Sequence, residues 1–194
     1  MPDLTDLSPD LEVDEVERLG GRWHNSVSGI QVFQKGFLYP QRIGPKPNGF
    51  WWAIGSAWKD FVVEKRPLRK RVGRHDYRVQ IDRSLCRLAQ LSDWDDILSF
   101  TIRFGTTPAP DNKFFLQTGD QDRYDPAQDD FLKRGVCRVC CIAWEKVAMS
   151  YDGIEFQDYR RPGGSRPHAS WLDDGWDVPS GCVWRLDGVK LFRG

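Results

Sequence analysis

Two stretches of the chain set carboxylates beside aromatic rings: Tyr151-Asp152-Gly153-Ile154-Glu155, and Trp176-Asp177 followed by Ser180-Gly181-Cys182 and Trp184. A carboxylate held against aromatic walls suits a reaction that develops positive charge on a sugar ring, as in cleavage of a glycosidic bond. Plainer roles stay open, since Asp152 suits a turn and Glu155 an exposed strand face. The segment from Lys46 to Asp60 adds Trp51, Trp52 and Trp58 between a Pro/Gly turn and a charged exit. Aromatics on both faces of a strand imply burial between two layers, or one face in the core and the other lining a cleft where a flat group stacks.

Other chemistries find less support. Cys137 and Cys140 have the separation of a zinc knuckle, but no regularly spaced second pair completes four ligands, so no metal is expected. In Val-Cys-Arg-Val-Cys-Cys-Ile-Ala these thiols read as small apolar side chains in a strand. No Gly-x-Ser-x-Gly elbow, phosphate loop or Gly-x-Gly-x-x-Gly fingerprint occurs. The basic run that includes Lys65, Arg66, Arg69, Lys70 and Arg71 could contact phosphates or form a solvated loop.

The 194 residues fit one domain, with residues 1–21 as an acidic leader or short helix and 22–194 as the body. The 28 basic and 28 acidic residues balance, so no global field recruits a polyanion or a membrane. The charge is polarised locally, acidic in the leader and basic from Lys65 to Arg74. Five cysteines, three of them clustered, favour a reducing compartment. With no signal-like start and no apolar run near the ~20 residues that span a bilayer, the expected setting is cytoplasmic.

Several elements must position these residues. Residues 9–19 read as a short helix, from Ser8-Pro9 to Gly20-Gly21. Two short strands are expected between Arg22 and Arg42, the second at Phe37 to Pro40. Pro47-Asn48-Gly49 suggests a turn with positive φ at Gly49. Phe50 to Ile54 follows as a strand, prolonged by Phe61 to Val63. Residues 76–82 alternate, with Tyr77, Val79 and Ile81 on one face, and Leu85 to Leu91 continues them. Ser92 to Asp95 caps a helix whose stripe is Trp94, Ile97, Leu98, Thr101 and Phe104. A long loop rich in Pro, Asp, Asn and Gln is expected over 106–130, interrupted by a short strand at Phe114 to Gln117, and a second loop with four basic residues and Gly163-Gly164 over 160–170. Strands are expected at 136–143 and 154–156, with a helical stripe at Trp144, Val147, Ala148 and Tyr151 between them. Asp187-Gly188 has the form of a hairpin turn joining 182–186 to 189–192. The sum is an α+β domain whose helices cover mostly antiparallel sheets.

Three blocks together, Lys46-Pro47-x-Gly49-Phe50-Trp51-Trp52, Tyr151-Asp152-Gly153-Ile154-Glu155 and Trp176-Asp177-x-x-Ser180-Gly181-Cys182-x-Trp184, resemble motifs of a group of small bacterial and phage-type proteins. The layout is also similar to the ADP-ribosyltransferase fold, with two small, mostly antiparallel sheets forming a cleft. The resemblance implies a transferase that takes NAD, breaks the nicotinamide–ribose bond, and passes ADP-ribose to a protein or nucleic-acid acceptor, as toxins and effectors do. It implies NAD contacts from Tyr39, Arg42, Gly49, Trp51, Trp52, Tyr151 and Ser180, and acceptor contacts from the basic run at Lys65. Asp177 is the implied catalytic acid and Glu155 the reserve.

The sequence departs from the group's pattern at Phe50 (for Leu), Trp52 (for Tyr) and Ala53 (for Ser), which leaves Ser56 to supply the missing hydroxyl. No Glu-x-Glu or His-Tyr-Glu triad is visible. The alternative is a non-catalytic nucleic-acid or protein-binding module with an aromatic cleft. The transferase expectation requires the tryptophan strand and Asp177 to line one groove.

Overall fold

The computed structural model of the chain describes residues 15–30, 34–65, 73–106, 136–137, 141–157, 168–173 and 176–194. In chain order the elements are α1 (Glu15–Arg18), β1 (Arg22–Ser26), β2 (Ile43–Gly44), β3 (Phe50–Ile54), α2 (Ala57–Glu64), β4 (His75–Ile81), β5 (Leu88–Leu91), α3 (Trp94–Phe104) and β6 (Gly105–Thr106). There follow β7 (Val136–Cys137), β8 (Cys141–Ala143), α4 (Trp144–Val147), β9 (Gly153–Phe156), β10 (His168–Ala169), α5 (Ser170–Asp173), β11 (Ser180–Val183) and β12 (Val189–Arg193). The architecture is α+β. An open seven-stranded sheet runs β12-β4-β1-β3-β11-β9-β5, and a three-stranded sheet runs β2-β8-β6. All their pairings are antiparallel except β5 with β9. A short parallel pair joins β7 to β10.

Strand β3 lies in the middle of the large sheet, and strand alternation divides its aromatics. Phe50 and Trp52 join Val79, Ile81, Val183 and Val189 in a core on one face. On the other face, Ile154, Phe156, Trp176 and Cys182 meet Ile97, Phe100 and Phe104 of α3, Trp144 of α4, Ile142 of β8 and Trp171 of α5. Trp51 packs at the border of this second, larger core. Helix α3 forms at the expected place: the Asp93 carboxylate accepts from the N–H of Asp96, and Asp95 and Asp96 favour the positive N-terminal end. Its buried stripe is Ile97, Phe100, Thr101 and Phe104. In β4, Tyr77, Val79 and Ile81 share the buried face, as their alternation implies.

A charged group sits inside this apolar framework. Glu155 is 0% exposed and accepts two bonds from Arg22, Nε at 2.6 Å and Nη2 at 2.9 Å. The indole Nε1 of Trp52 donates to the same carboxylate at 3.0 Å, and Nη2 of Arg83 lies 3.5 Å away. Register explains how Glu155 of β9 reaches Trp52 of β3 across β11, and Arg22 of β1 across β11 and β3. Glu155 pairs with Gly181, and Gly181 pairs with Trp52. Any side chain at 181 would collide with the Trp52 ring, so glycine leaves the space through which the indole reaches Glu155. The exposed strand face expected for Glu155 is instead a buried hub.

Four other expectations are corrected. Phe61 to Val63 does not prolong β3. The chain reverses at Gly55 (φ 59°) and enters α2, whose Asp60 carboxylate accepts from the Ser56 hydroxyl at 2.6 Å. Trp58, Phe61 and Val62 have i, i+3, i+4 spacing, and that periodicity prevails over the β-branched run. Gly49 has no positive φ; a Cβ there would strike the Cys182 sulfur and the Val183 carbonyl, so close approach to β11 is what requires glycine. The hairpin expected at Asp187-Gly188 is absent, because β11 pairs with β3 and β9 while β12 pairs with β4 at the sheet's edge. Residues 82–87 form a turn, which sends β5 to the opposite edge from β4.

The second early strand, at Phe37 to Pro40, is reduced to a single bridge from Leu38 to Arg185. The run 136–143 divides between two sheets, and the Trp144 stripe makes one helical turn. Of the leader, α1 docks on the body: Val16 is fully buried, and Glu17 pairs with Arg78. Among the described residues, no helix is long and apolar enough to cross a membrane.

Replacing one partner of a buried pair leaves the other charge uncompensated, which typically destabilises by ~3–5 kcal/mol. Glu155→Gln should therefore lower unfolding free energy by about that amount in urea titration, since Gln can still accept from Trp52 but cannot neutralise Arg22. A loss under about 1 kcal/mol would show that the pair does not hold the sheet together.

Candidate functional site

Among the described residues, the covering layer does not extend over the whole sheet. Where β1, β3 and β11 run side by side, Trp23 pairs with Ala53 and Ala53 pairs with Ser180. These three form a row on the face opposite Glu155 and Trp52. Trp51, paired with Cys182, lies one row further along the same face. The small Ala53 side chain leaves a depression between the indoles. Lys46, Trp58, Asp177 and Val178 rise around it, and together with Asn25, His24 and Trp52 they bound an open groove of about 240 Å³.

The electrostatics of the groove centre on one cation. The Lys46 ammonium stands 5.2 Å from the Trp51 ring centroid, a cation–π distance. Partial desolvation there lowers the Lys46 pKa, while the Asp177 carboxylate and then the Cys182 thiol oppose the change. Trp51 is held from behind by Trp176, with ring centroids 4.8 Å apart, and Trp176 rests on Phe156 at 4.3 Å. The platform is thus fixed to the core, and its half-exposed side meets a mobile charge type and a carboxylate. Cys182 beneath it is a poor nucleophile, because complete burial drives its pKa well above the ordinary thiol value.

Most other polar groups on the wall already have partners. The Ser180 hydroxyl donates to the Val178 carbonyl at 2.8 Å, and His24 Nδ1 lies 2.7 Å from the Trp51 carbonyl. Asn25 holds both backbone groups of Gly73 and donates to Asp76 at 2.8 Å. Asp76 in turn pairs with Lys59 at 2.7 Å, and that hydrogen bond is the main reason its pKa is lowered. Among the described residues, no group of three or more His, Cys, Asp or Glu side chains could hold a metal ion.

The structure brings Trp51, Trp52, Asp177 and Ser180 together at this groove, and Ser56 lines an adjoining hollow. Other candidates lie elsewhere. Glu155 and the Trp52 indole engage each other on the opposite face of the sheet. Tyr39 packs between the two cores and donates its N–H to the Trp184 carbonyl; Arg42 is exposed. Tyr151 accepts from the Trp184 indole through its carbonyl and meets Phe104 edge-on. Gly49 serves the packing of β3 on β11, and Lys65 is an exposed residue at the end of α2. Arg66, Arg69, Lys70 and Arg71 lie outside the described residues, as do Cys140 and the side chain of Cys137.

Sequence reasoning missed Trp23, His24 and Asn25, and assigned no role to Lys46 or Trp58. The available signal was weak: a tryptophan and an asparagine two apart in Arg-Trp-His-Asn-Ser share one strand face, but the segment lacks the apolar alternation that marks a strand. No family model matches the chain, and neither a curated protein nor a solved structure does.

The His24 ring lies against Phe50, tilted, with ring centroids 4.4 Å apart, and burial lowers its pKa below the ordinary imidazole value, opposed by the bond to the Trp51 carbonyl. Protonation is therefore harder in the folded chain than in the unfolded one. His24 has no effect on stability well above pH of about 6.5, and it withdraws stability as pH falls below that value. In urea titrations at pH 7 and pH 5, His24→Gln should lose less stability on acidification than the parent chain. Equal losses would remove His24 as a source of acid sensitivity.

Proposed function

We propose that the groove takes a flat cationic ring on Trp51, and that the protein is an NAD-dependent ADP-ribosyltransferase-like enzyme. The observation that carries this reading is the Lys46 ammonium at cation–π distance over the Trp51 indole, in a groove that Asp177 also lines. The nicotinamide of NAD carries its positive charge in an aromatic ring, so it gains both stacking and cation–π attraction on an indole. Lys46 would then be displaced toward the pyrophosphate, where a flexible ammonium is an effective partner.

In the reaction, the bond between ribose C1′ and the nicotinamide nitrogen breaks, and its electron pair leaves with neutral nicotinamide. The positive charge moves to the ribose ring, where the Asp177 carboxylate stabilises it. A nucleophile of the acceptor bonds to C1′ and releases its proton to water. Of the two candidate acids, Asp177 is the one whose side chain is exposed at the groove, whereas Glu155 is committed to Arg22. The acceptor is a macromolecule, and the setting proposed is the cytoplasm.

A second reading has its own support. Among the described residues the groove holds one carboxylate, and the neighbouring Ser180, Asn25 and His24 are engaged with the protein itself. A binding module that stacks a flat ligand without turning it over needs no more than this. Nicotinamide release from NAD separates the two. The transferase should release it, and Asp177→Asn should slow release at least about 100-fold while urea unfolding stays unchanged, the range lost when one stabilising group is removed. No release with protein or nucleic-acid acceptors, and no rise in melting temperature with excess NAD, would favour the binding module.

A further inference from the structure

The segment Tyr151-Asp152-Gly153-Ile154-Glu155 carries, besides Glu155, a carboxylate that the groove does not use. Asp152 lies just before β9 and is 5% exposed. One of its oxygens accepts from the backbone N–H of Arg87 at 3.0 Å and from Nε of the same residue at 3.2 Å, and the other pairs with Nε of Arg185 at 3.2 Å. We propose that Arg87 and Arg185 together bind a phosphate monoester, at a site separate from the groove. The inference does not rest on the transferase reading.

Strand pairing brings the two arginines together. Arg87 precedes β5, Arg185 follows β11, and β9 runs between those strands. The Asp152 N–H donates to the Arg87 carbonyl at 2.8 Å, and the Asp152 carbonyl accepts from the N–H groups of Trp184 and Arg185. Backbone bonds therefore hold an arginine on either side of one buried carboxylate. Each guanidinium gives that carboxylate only its Nε edge, and among the described residues the Nη atoms of Arg87 and Arg185 have no partner. Both side chains are exposed, at 61% and 49%. A guanidinium anchored by one edge is already ordered and keeps its other donors for a ligand. Arg185 lies about 16 Å further along the chain than Ser180 of the groove, at ~3.3 Å per extended residue.

Charge in this cluster does not balance. Asp152 serves two guanidiniums, and Glu155 serves two more, Arg22 at 2.6 Å and Arg83 at 3.5 Å. Asp152, Glu155, Arg83 and Arg185 all lie close enough to the buried Cys86 thiol to act on its charge, so the two groups are neighbours. Among the described residues, Asp82 is tied to Ser84 and faces Lys190, and neither it nor Asp187 pairs with these arginines. Two carboxylates thus leave a surplus of positive charge on four guanidiniums. A phosphate monoester carries close to two negative charges and three acceptor oxygens near neutral pH, so it can take a planar fork from each arginine at once. A carboxylate has one charge and two oxygens, enough for one fork. Leu38, bridged to Arg185 and exposed, offers apolar contact to the group that carries the phosphate.

Phosphorus-31 NMR of phenyl phosphate, titrated with the full chain at low salt, tests this. The signal should shift and broaden as the chain is added, and benzoate at equal concentration should not reverse the change. Arg185→Gln should weaken binding at least about ten-fold, the low end for losing hydrogen bonds to a charged group. Should that variant fail to fold, Arg185→Lys keeps a cation beside Asp152 but lacks the fork, and it should also bind more weakly. Lys146→Gln, which removes an exposed cation on α4, should bind like the parent chain. No shift at low salt, unchanged affinity in both Arg185 variants, an equal loss in Lys146→Gln, or full reversal by benzoate would overturn the inference. Inorganic phosphate and a phosphoserine peptide, added as competitors, identify the source of the group. Displacement by inorganic phosphate supports a site that reads the phosphate alone, displacement by the peptide alone supports a phosphorylated protein as the ligand, and displacement by neither would overturn the assignment.

Discussion

The Arg22–Glu155 pair is the constraint on which the large sheet's central arrangement depends. A carboxylate with no exposure and a guanidinium at 2% exposure are each costly to bury, and each is acceptable only because two short hydrogen bonds join them. The pair fixes β9 relative to β1, with β3 and β11 lying between them in the sheet. Trp52 completes the carboxylate's shell, and it reaches that position because residue 181 has no side chain. One ion pair, one indole and one glycine thus set the register of four neighbouring strands. A slip of one residue would turn the charges into the aromatic core on the other face.

The groove follows from that register. Once Trp52 points to the Glu155 side, Trp51 must point to the other, and Ala53 and Ser180 fall beside it in small-residue positions. The large aromatic core ends at Trp51, where Trp176 supports the inner edge of its ring. Beyond that edge, among the described residues, the groove is rimmed by Lys46 and Asp177 on one side and Trp58 of α2 on the other. The buried ion pair and the groove are accordingly on opposite faces of the large sheet. A change at Glu155 disturbs the groove through strand position, whereas a change at Asp177 leaves the sheet's buried bonds intact.

The parts of this arrangement written in local pattern were legible in the sequence. The alternation of Tyr77, Val79 and Ile81 and the capped stripe of α3 reflect burial of one face, a requirement that a single segment records by itself. The turn-bounded Phe50 to Ile54 strand was equally clear. What escaped depends on distant partners. Gly49 looked like a turn glycine because its contact with Cys182 and Val183 is over a hundred residues away. Asp187-Gly188 carries a strong local turn signal, yet β11 already has neighbours on both edges, so β12 pairs at the far side of the sheet. Glu155 gave no sign of burial because Arg22, its counter-charge, sits in a polar segment that did not read as a strand of the core. Trp51 and Asp177 were singled out for their chemistry, and the antiparallel pairing of β3 with β11 is what places both at the groove.

The central claim is that a ligand of NAD type enters on the Trp51 face, and fluorine NMR of the chain labelled with 5-fluorotryptophan tests it most directly. The nine indole signals can be assigned by single Trp→Phe changes and followed as NAD is added. The account requires the Trp51 signal to move most, with smaller shifts at Trp23 and Trp58 along the groove and none at the enclosed Trp144 and Trp171. A spectrum that NAD leaves unchanged, or shifts confined to indoles away from the groove, would contradict it.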